Sequence, residues 1–265
     1  MPVPKGLTAL RNSGGTLTAT RIGDGQDVLI LHSLLTDWTA FEPVLPWLAR
    51  RFRVTIVNLP GFHGSKPAEA SIEAYASRVS EAFDDFAIGK DAIVIANGFG
   101  GTVALAMALT HGRRFAKLVL SDVAAGFPPE GRKAFEVMAE KVAKEGLGSV
   151  ATIAANRVFH PAYLKDHPEA VEQRRQILLK VDPDAFIAAC RALTKADFLP
   201  RLNDIINPAL VLCGGLDAAT PPALCRAVAE AIPNARYVEL ADCGHCPPLE
   251  QPGAFIAAIQ DFVSG

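Results

Sequence analysis

The segment Ile93-Val94-Ile95-Ala96-Asn97-Gly98-Phe99-Gly100-Gly101 constrains the fold more than any other stretch of the chain. Its apolar start, rich in β-branched residues, reads as a strand buried on both faces. Its glycine-rich continuation opens a helix with almost no intervening loop. Ala96, Gly100 and Gly101 are small enough to let strand and helix pack closely. A fully buried strand that turns straight into a helix belongs to a parallel sheet with helices on its faces.

The same pattern recurs. Residues 16–21 alternate and predict an early antiparallel strand. Short apolar runs at 28–31, 54–57, 92–95, 118–120 and 210–213 predict buried strands, and 237–240 predicts another, interrupted by Glu239. Pro60-Gly61 and Gly214-Gly215 close two of these runs. Between residues 124 and 202 only helical signals appear: Phe135, Met138 and Val142 fall at helical spacing, and Asp182-Pro183 is an N-cap followed by proline at the first helical position. A chain of 265 residues, half of them hydrophobic, accommodates one large domain with an insert. Residues 1–123 and 203–265 are expected to form the core domain, and 124–202 a helical cap over its site.

Four features fall just past predicted strands, where open parallel sheets place their sites. The turn around Gly98 has the strand-to-helix context of the small-x-Ser-x-Gly nucleophile turn, with glycine in the nucleophile slot. Asp217 follows one strand and His245 the next. His32-Ser33-Leu34-Leu35 follows the strand that starts at Val28. The order nucleophile slot, acid, histidine is that of the Ser…Asp…His enzymes. Asp217 is expected to fix the tautomer of His245, whose other ring nitrogen then serves as general base. The backbone N–H groups of Leu34 and Phe99 are expected to form an oxyanion hole, which does not depend on the side chain at position 98. Asp122, past the strand ending at Ser121, is the rival acid. Ser33 and Thr102 carry hydroxyls nearby, but neither stands at the apex of the turn, so neither is expected to attack. His63 is assigned to a tight loop, and His111, His160 and His167 to the surface or the cap.

Other classes are disfavoured. A net charge of −2 argues against nucleic-acid or anionic-membrane partners. No apolar run is long enough to span a bilayer, and Met1–Leu10 lacks the apolar core of a signal peptide. Five scattered cysteines suggest a reduced, cytoplasmic setting. Cys243-Gly244-His245-Cys246 lacks the second ligand pair of a zinc site and the context of a redox motif. With no dinucleotide fingerprint, phosphate loop or metal-ligand cluster, no cofactor and no metal are expected. Oligomeric state is not legible.

Over nearly its whole length the chain resembles an α/β-hydrolase, and is most similar to the 3-oxoadipate enol-lactonases and their relatives. His32-Ser33-Leu34-x-Thr36-Asp37 resembles their oxyanion loop, with Leu35 where glycine is usual. Arg157-Val158-Phe159-His160-Pro161 resembles their Arg-x-Phe-x-Pro cap stretch, and Asp182-Pro183 through Ala196-Asp197 the helix that re-enters the core. Gly215-Leu216-Asp217-x-x-Thr220-Pro221 and Gly244-His245-Cys246-Pro247 match the acid and histidine motifs. The resemblance implies an α/β-hydrolase fold with a helical cap, a small ester or lactone as substrate, His32 and Ser33 beside that substrate, and Arg157 facing a substrate carboxylate. The family has serine where this chain has Gly98. Three expectations follow from that departure: a disabled serine hydrolase, an enzyme in which His245 activates water, or a non-hydrolytic lyase or ligand-binding protein that reuses the pocket.

Overall fold

The computed structural model describes residues 6–265. Its strands are β1 (Thr8–Arg11), β2 (Thr18–Ile22), β3 (Gln26–Leu31), β4 (Phe52–Val57), β5 (Ile93–Asn97), β6 (Lys117–Ser121), β7 (Ala209–Gly214) and β8 (Arg236–Leu240). They form one eight-stranded sheet in the order β1-β2-β4-β3-β5-β6-β7-β8. β2 pairs antiparallel with both β1 and β4, and every pairing from β4 to β8 is parallel. This is the α/β-hydrolase fold: a mostly parallel sheet flanked by helices. Every residue of β5 and β7 is buried, which is why these strands read as unbroken apolar runs. β8 lies at the sheet edge with Glu239 exposed, so a charge inside that strand meets water. β1 has no counterpart in the sequence reading. It is a four-residue, largely exposed edge strand, held by pairing with β2, and needs no apolar signature.

Helices α1 (Leu45–Leu48), α2 (Ile72–Ser80), α3 (Ala82–Asp85) and α4 (Phe99–His111) precede β6. Between β6 and β7 run α5 (Pro129–Glu145), α6 (Gly148–Val158), α7 (Pro161–Asp166), α8 (Glu169–Leu178) and α9 (Pro183–Lys195), and α10 (Pro222–Ala231), α11 (Pro247–Glu250) and α12 (Pro252–Ser264) complete the chain. Strand alternation sends Leu29, Leu31, Val94 and Ala96 to one face of the sheet and Val28, Ile30, Ile93 and Ile95 to the other. The first set packs with residues of α2 and α4, the second with Phe255, Ile259 and Val263 of α12.

The α5–α9 excursion leaves and returns at one place. Gly126 bridges Asp197, and Phe198 N–H donates to the Ala125 carbonyl at 2.8 Å. At the start of α9, Asp182 Oδ1 accepts from Asp184 N at 2.9 Å and Ala185 N at 3.1 Å, a cap worth about 1 kcal/mol.

The sheet order fixes where a site can form. From β3 the chain moves outward to β4, then crosses back to β5 on the other side of β3. The loops after β3 and β5 therefore diverge and leave a crevice at the carboxyl ends of the strands. Ser33 lies on one side of it and Gly98 on the other. α4 abuts that crevice because of its glycines: a Cβ on Gly100 would stand 2.6 Å from the carbonyl oxygens of Leu31 and His32, and one on Gly101 2.9 Å from Val123 Cγ2.

Candidate active site

Gly98 joins β5 to α4 with φ 55° and ψ −118°, a conformation that glycine accepts without Cβ strain. Its N–H donates to the Ser121 carbonyl at 3.0 Å, and the Gly100 N–H to the His32 carbonyl at 3.1 Å. The turn is thus pinned to the ends of both neighbouring strands.

Asp217 follows β7 in a tight loop. Its Oδ1 accepts from Ala219 N at 2.7 Å and Thr220 N at 3.0 Å, and its Oδ2 lies 2.8 Å from His245 Nδ1. Burial by itself would raise the Asp217 carboxyl, but His245 and the two amides hold it below the usual carboxylate range. His245, on the loop after β8, experiences the converse. Burial opposes its charged form, and the Asp217 carboxylate outweighs burial and raises the imidazole to about 9. With Nδ1 committed to Asp217, Nε2 is the nitrogen that meets Ser33 Oγ, at 3.3 Å.

The rival acid is placed elsewhere. Asp122 Oδ1 accepts from Gly214 N at 2.8 Å, and its Oδ2 is engaged by Ser121 Oγ and Asn97 Nδ2. Burial, then the nearby Asp217 charge, pushes its carboxyl well above the ordinary value. Asp122 therefore braces β6 against β7, and Asp217 is the acid whose carboxylate reaches His245. Asp122, Asp217 and Cys213 lie together and fully buried. Backbone and side-chain hydrogen bonds already occupy the carboxylate oxygens of that group, leaving little donor capacity for a cation.

Ser33, Leu34, Gly98, Phe99 and His245 together line part of an apolar cleft that opens to solvent. Phe127, Phe135, Met138 and Leu193, from the helical excursion and its approach, line the rest. Among the described residues, neither the Leu34 nor the Phe99 N–H is engaged by another protein group. Phe99 is the first residue of α4, where helical N–H groups point outward and the dipole favours negative charge. Arg157, exposed on α6, reaches the cleft and donates to the Ala218 carbonyl at 3.3 Å.

Two expectations change. His32 does not reach the cleft. It is fully buried, its Nδ1 donates to the Ser33 carbonyl at 2.8 Å, and its Nε2 accepts from Leu59 N at 3.1 Å. Burial, reinforced by His63, lowers it to about 4, so it is a neutral clamp on the loop. Ser33, expected only to line the substrate site, is the hydroxyl that meets His245. Two of the other histidines have local roles: His63 occupies a positive-φ turn position, and His160 Nδ1 accepts from Ala162 N at the start of α7. Cys243 and Cys246 are buried free thiols, each pushed upward by burial.

Two residues that support the site escaped the sequence reading. Asn97 Nδ2 donates to the His245 carbonyl at 3.0 Å, tying the histidine loop to the turn at Gly98. Glu250 accepts from the N–H groups of His160 at 3.0 Å, Gly244 at 3.1 Å and Cys246 at 3.3 Å, and so joins the histidine loop to the excursion. A polar residue ending an apolar strand hints at Asn97. Nothing local marks Glu250.

Residues 28–259 match the model of the alpha/beta hydrolase family. The chain is 26% identical over 240 residues to 3-oxoadipate enol-lactonase 2 of Acinetobacter baylyi, covering 89% of this chain and 88% of that one. It is 27% identical over 252 residues to a pimeloyl-[acyl-carrier protein] methyl ester esterase of Aromatoleum aromaticum, covering 90% and 98%. Among solved structures it superposes on a thermophilic esterase from Thermogutta terrifontis with a TM-score of 0.87 at 29% identity, covering 97% and 98%. It superposes on the enol-lactonase from Burkholderia xenovorans with a TM-score of 0.89 at 28% identity, covering 97% and 100%. No helix among the described residues is long and apolar enough to cross a membrane. With its sheet order, its strand-end site and a family match that spans most of its length, the chain belongs to the alpha/beta hydrolase family.

Proposed function

We propose that the protein hydrolyses small-molecule esters or lactones in the cleft between the sheet and the α5–α9 helices, which serve as its lid. The observation that carries this reading is the orientation of His245. Asp217 takes Nδ1 at 2.8 Å, which leaves Nε2 free to remove a proton from an oxygen nucleophile at the cleft floor. The free N–H groups of Leu34 and Phe99 then stabilise the oxyanion of the tetrahedral intermediate, typically worth about 2.7–4 kcal/mol per donor. Gly98 supplies no attacking atom, so the oxygen that His245 deprotonates is either a water or a hydroxyl of another residue. The largely apolar lining suits an aliphatic or cyclic acyl group, and Arg157 at its side suits a substrate that ends in a carboxylate. The enol-lactonase and methyl ester esterase relatives support the ester and lactone class.

The test is turnover of an aryl-ester and enol-lactone panel by the unmodified chain and by His245→Ala, with matched circular dichroism. Saturable turnover that drops about 10³-fold or more in the variant is expected. Saturable binding with no product would instead make the protein a ligand-binding relative of the family.

A further inference from the structure

We propose that Ser33 is the nucleophile of this site, taking from the loop after β3 the role that Gly98 cannot perform after β5. This rests on the hydrolase reading above and names the atom that reading leaves open.

Three observations converge. The first is the relay. Ser33 Oγ stands 3.3 Å from His245 Nε2, and His245 Nδ1 stands 2.8 Å from Asp217 Oδ2. Hydroxyl, imidazole and carboxylate are therefore in series, the constellation that activates a serine. Among the described residues His245 is the only hydrogen-bond partner of that hydroxyl.

The second is space. A Cβ placed on Gly98 would stand 2.3 Å from Ser33 Oγ, 3.0 Å from Ser33 Cβ and 2.7 Å from His245 Nε2. A side chain at position 98 and the Ser33 hydroxyl thus compete for one volume. Glycine at the turn is the condition under which Ser33 reaches the histidine, so the missing side chain and the displaced hydroxyl are two halves of one arrangement. A water activated by His245 would have to sit where Oγ already is.

The third is rigidity. Ser33 N–H donates to Thr36 Oγ1 at 3.1 Å, and the Ser33 carbonyl accepts from Thr36 N at 3.3 Å and from His32 Nδ1 at 2.8 Å. The backbone of Ser33 is held on both sides, which leaves its hydroxyl as the one polar group free to act. The fully buried His32 is a positioning residue for it. The oxyanion donors keep their places with roles exchanged: Leu34 N–H now follows the nucleophile in sequence, and Phe99 N–H faces it across the crevice.

The chemistry balances without a co-reactant other than water. Ser33 Oγ bonds to the acyl carbon as Nε2 takes its proton. The C–O bond of the ester or lactone breaks, and the leaving oxygen takes that proton from Nε2. Water then attacks the acyl-serine, gives a proton to Nε2, and Ser33 Oγ departs with it, releasing the acid.

A fluorophosphonate probe tests this without knowledge of the substrate. Serine oxygen bonds to phosphorus, fluoride leaves, and the proton passes to His245. On the unmodified chain, tryptic mass spectrometry should locate the adduct on Ser33, within the Ile22–Arg50 peptide. Ser33→Ala should abolish labelling and reduce ester turnover about 10³-fold or more. Ser33→Ala combined with Gly98→Ser should regain labelling, now at position 98. An adduct elsewhere, or none, overturns the proposal on the unmodified chain, whatever the variants do. Turnover within tenfold of the unmodified chain in Ser33→Ala, with loss in His245→Ala, overturns Ser33 while leaving the hydrolase reading intact. Absence of both adduct and turnover removes both readings.

Discussion

Replacing Asp217 by asparagine asks which nitrogen of His245 carries the proton. The site fixes how the new amide must sit. Ala219 N–H and Thr220 N–H converge on Oδ1 at 2.7 and 3.0 Å, so the amide oxygen takes that place and its NH2 group replaces Oδ2. That NH2 donates to His245 Nδ1, which must then be unprotonated, and the ring proton moves to Nε2. A protonated Nε2 cannot accept a proton from a nucleophile. The fold should survive, because every backbone partner is retained, while kcat falls by about 10⁴-fold, the scale of such a tautomer change in serine-type triads. Stability tests the same geometry. His245 is raised from 6.5 to about 9, so its charged form contributes on the order of 3 kcal/mol. A raised basic group contributes in full below its unfolded value and loses that contribution as pH climbs through its folded value. The unmodified protein should therefore lose melting temperature between about pH 6.5 and 9, and Asp217→Asn should show a much flatter curve there. The depressed carboxyl of Asp217 is the same interaction seen from its partner, and its share is lost only at acid pH. Asp122→Asn, at a carboxyl that makes no hydrogen bond to His245, should change kcat only a few-fold. A kcat for Asp217→Asn within tenfold of the unmodified value, measured on an aryl ester beside a thermal melt, would refute the tautomer argument. So would an Asp122→Asn defect as large as that of Asp217→Asn.

Three further outcomes are expected. The turnover rate should climb with pH as His245 loses its proton, with an apparent pKa displaced from the usual imidazole value toward about 9; a pH–rate profile already flat at pH 6.5 would contradict the pairing. Arg157→Met should raise KM roughly tenfold or more for esters that carry a distal carboxylate and leave neutral esters within about twofold; equal effects on both would exclude a carboxylate contact. Glu250→Ala leaves the part-buried N–H groups of His160, Gly244 and Cys246 without their acceptor, so it should cost about 1–3 kcal/mol, and Glu250→Gln should recover most of the loss in a denaturant melt.

What the chain reveals before folding is whatever consecutive residues carry. Central strands read as apolar runs because both faces of β5 and β7 are covered, and the break into helical periodicity after residue 124 reads just as directly. Asp182-Pro183 signals the start of α9, and Gly98 and His245 are recognisable because each lies just past a strand end. β1 escapes notice because an exposed edge strand is held by its neighbour rather than by its own composition. Asp122 and Asp217 look alike locally, each an acid just past a strand. Only packing decides between them, by aiming one at a backbone amide of the next strand and the other at His245. His32 reads as a residue of the substrate loop until its two ring nitrogens are seen to be spent on backbone groups 27 residues apart and one residue apart. Ser33 and His245 are 212 residues apart in sequence. Their 3.3 Å approach depends on β3 lying beside β5 and on the volume left by an absent side chain at Gly98. Periodicity is a property of neighbours along the chain and survives in the sequence. A hydrogen bond across a crevice is the sum of many packing distances, and only the tertiary structure adds them.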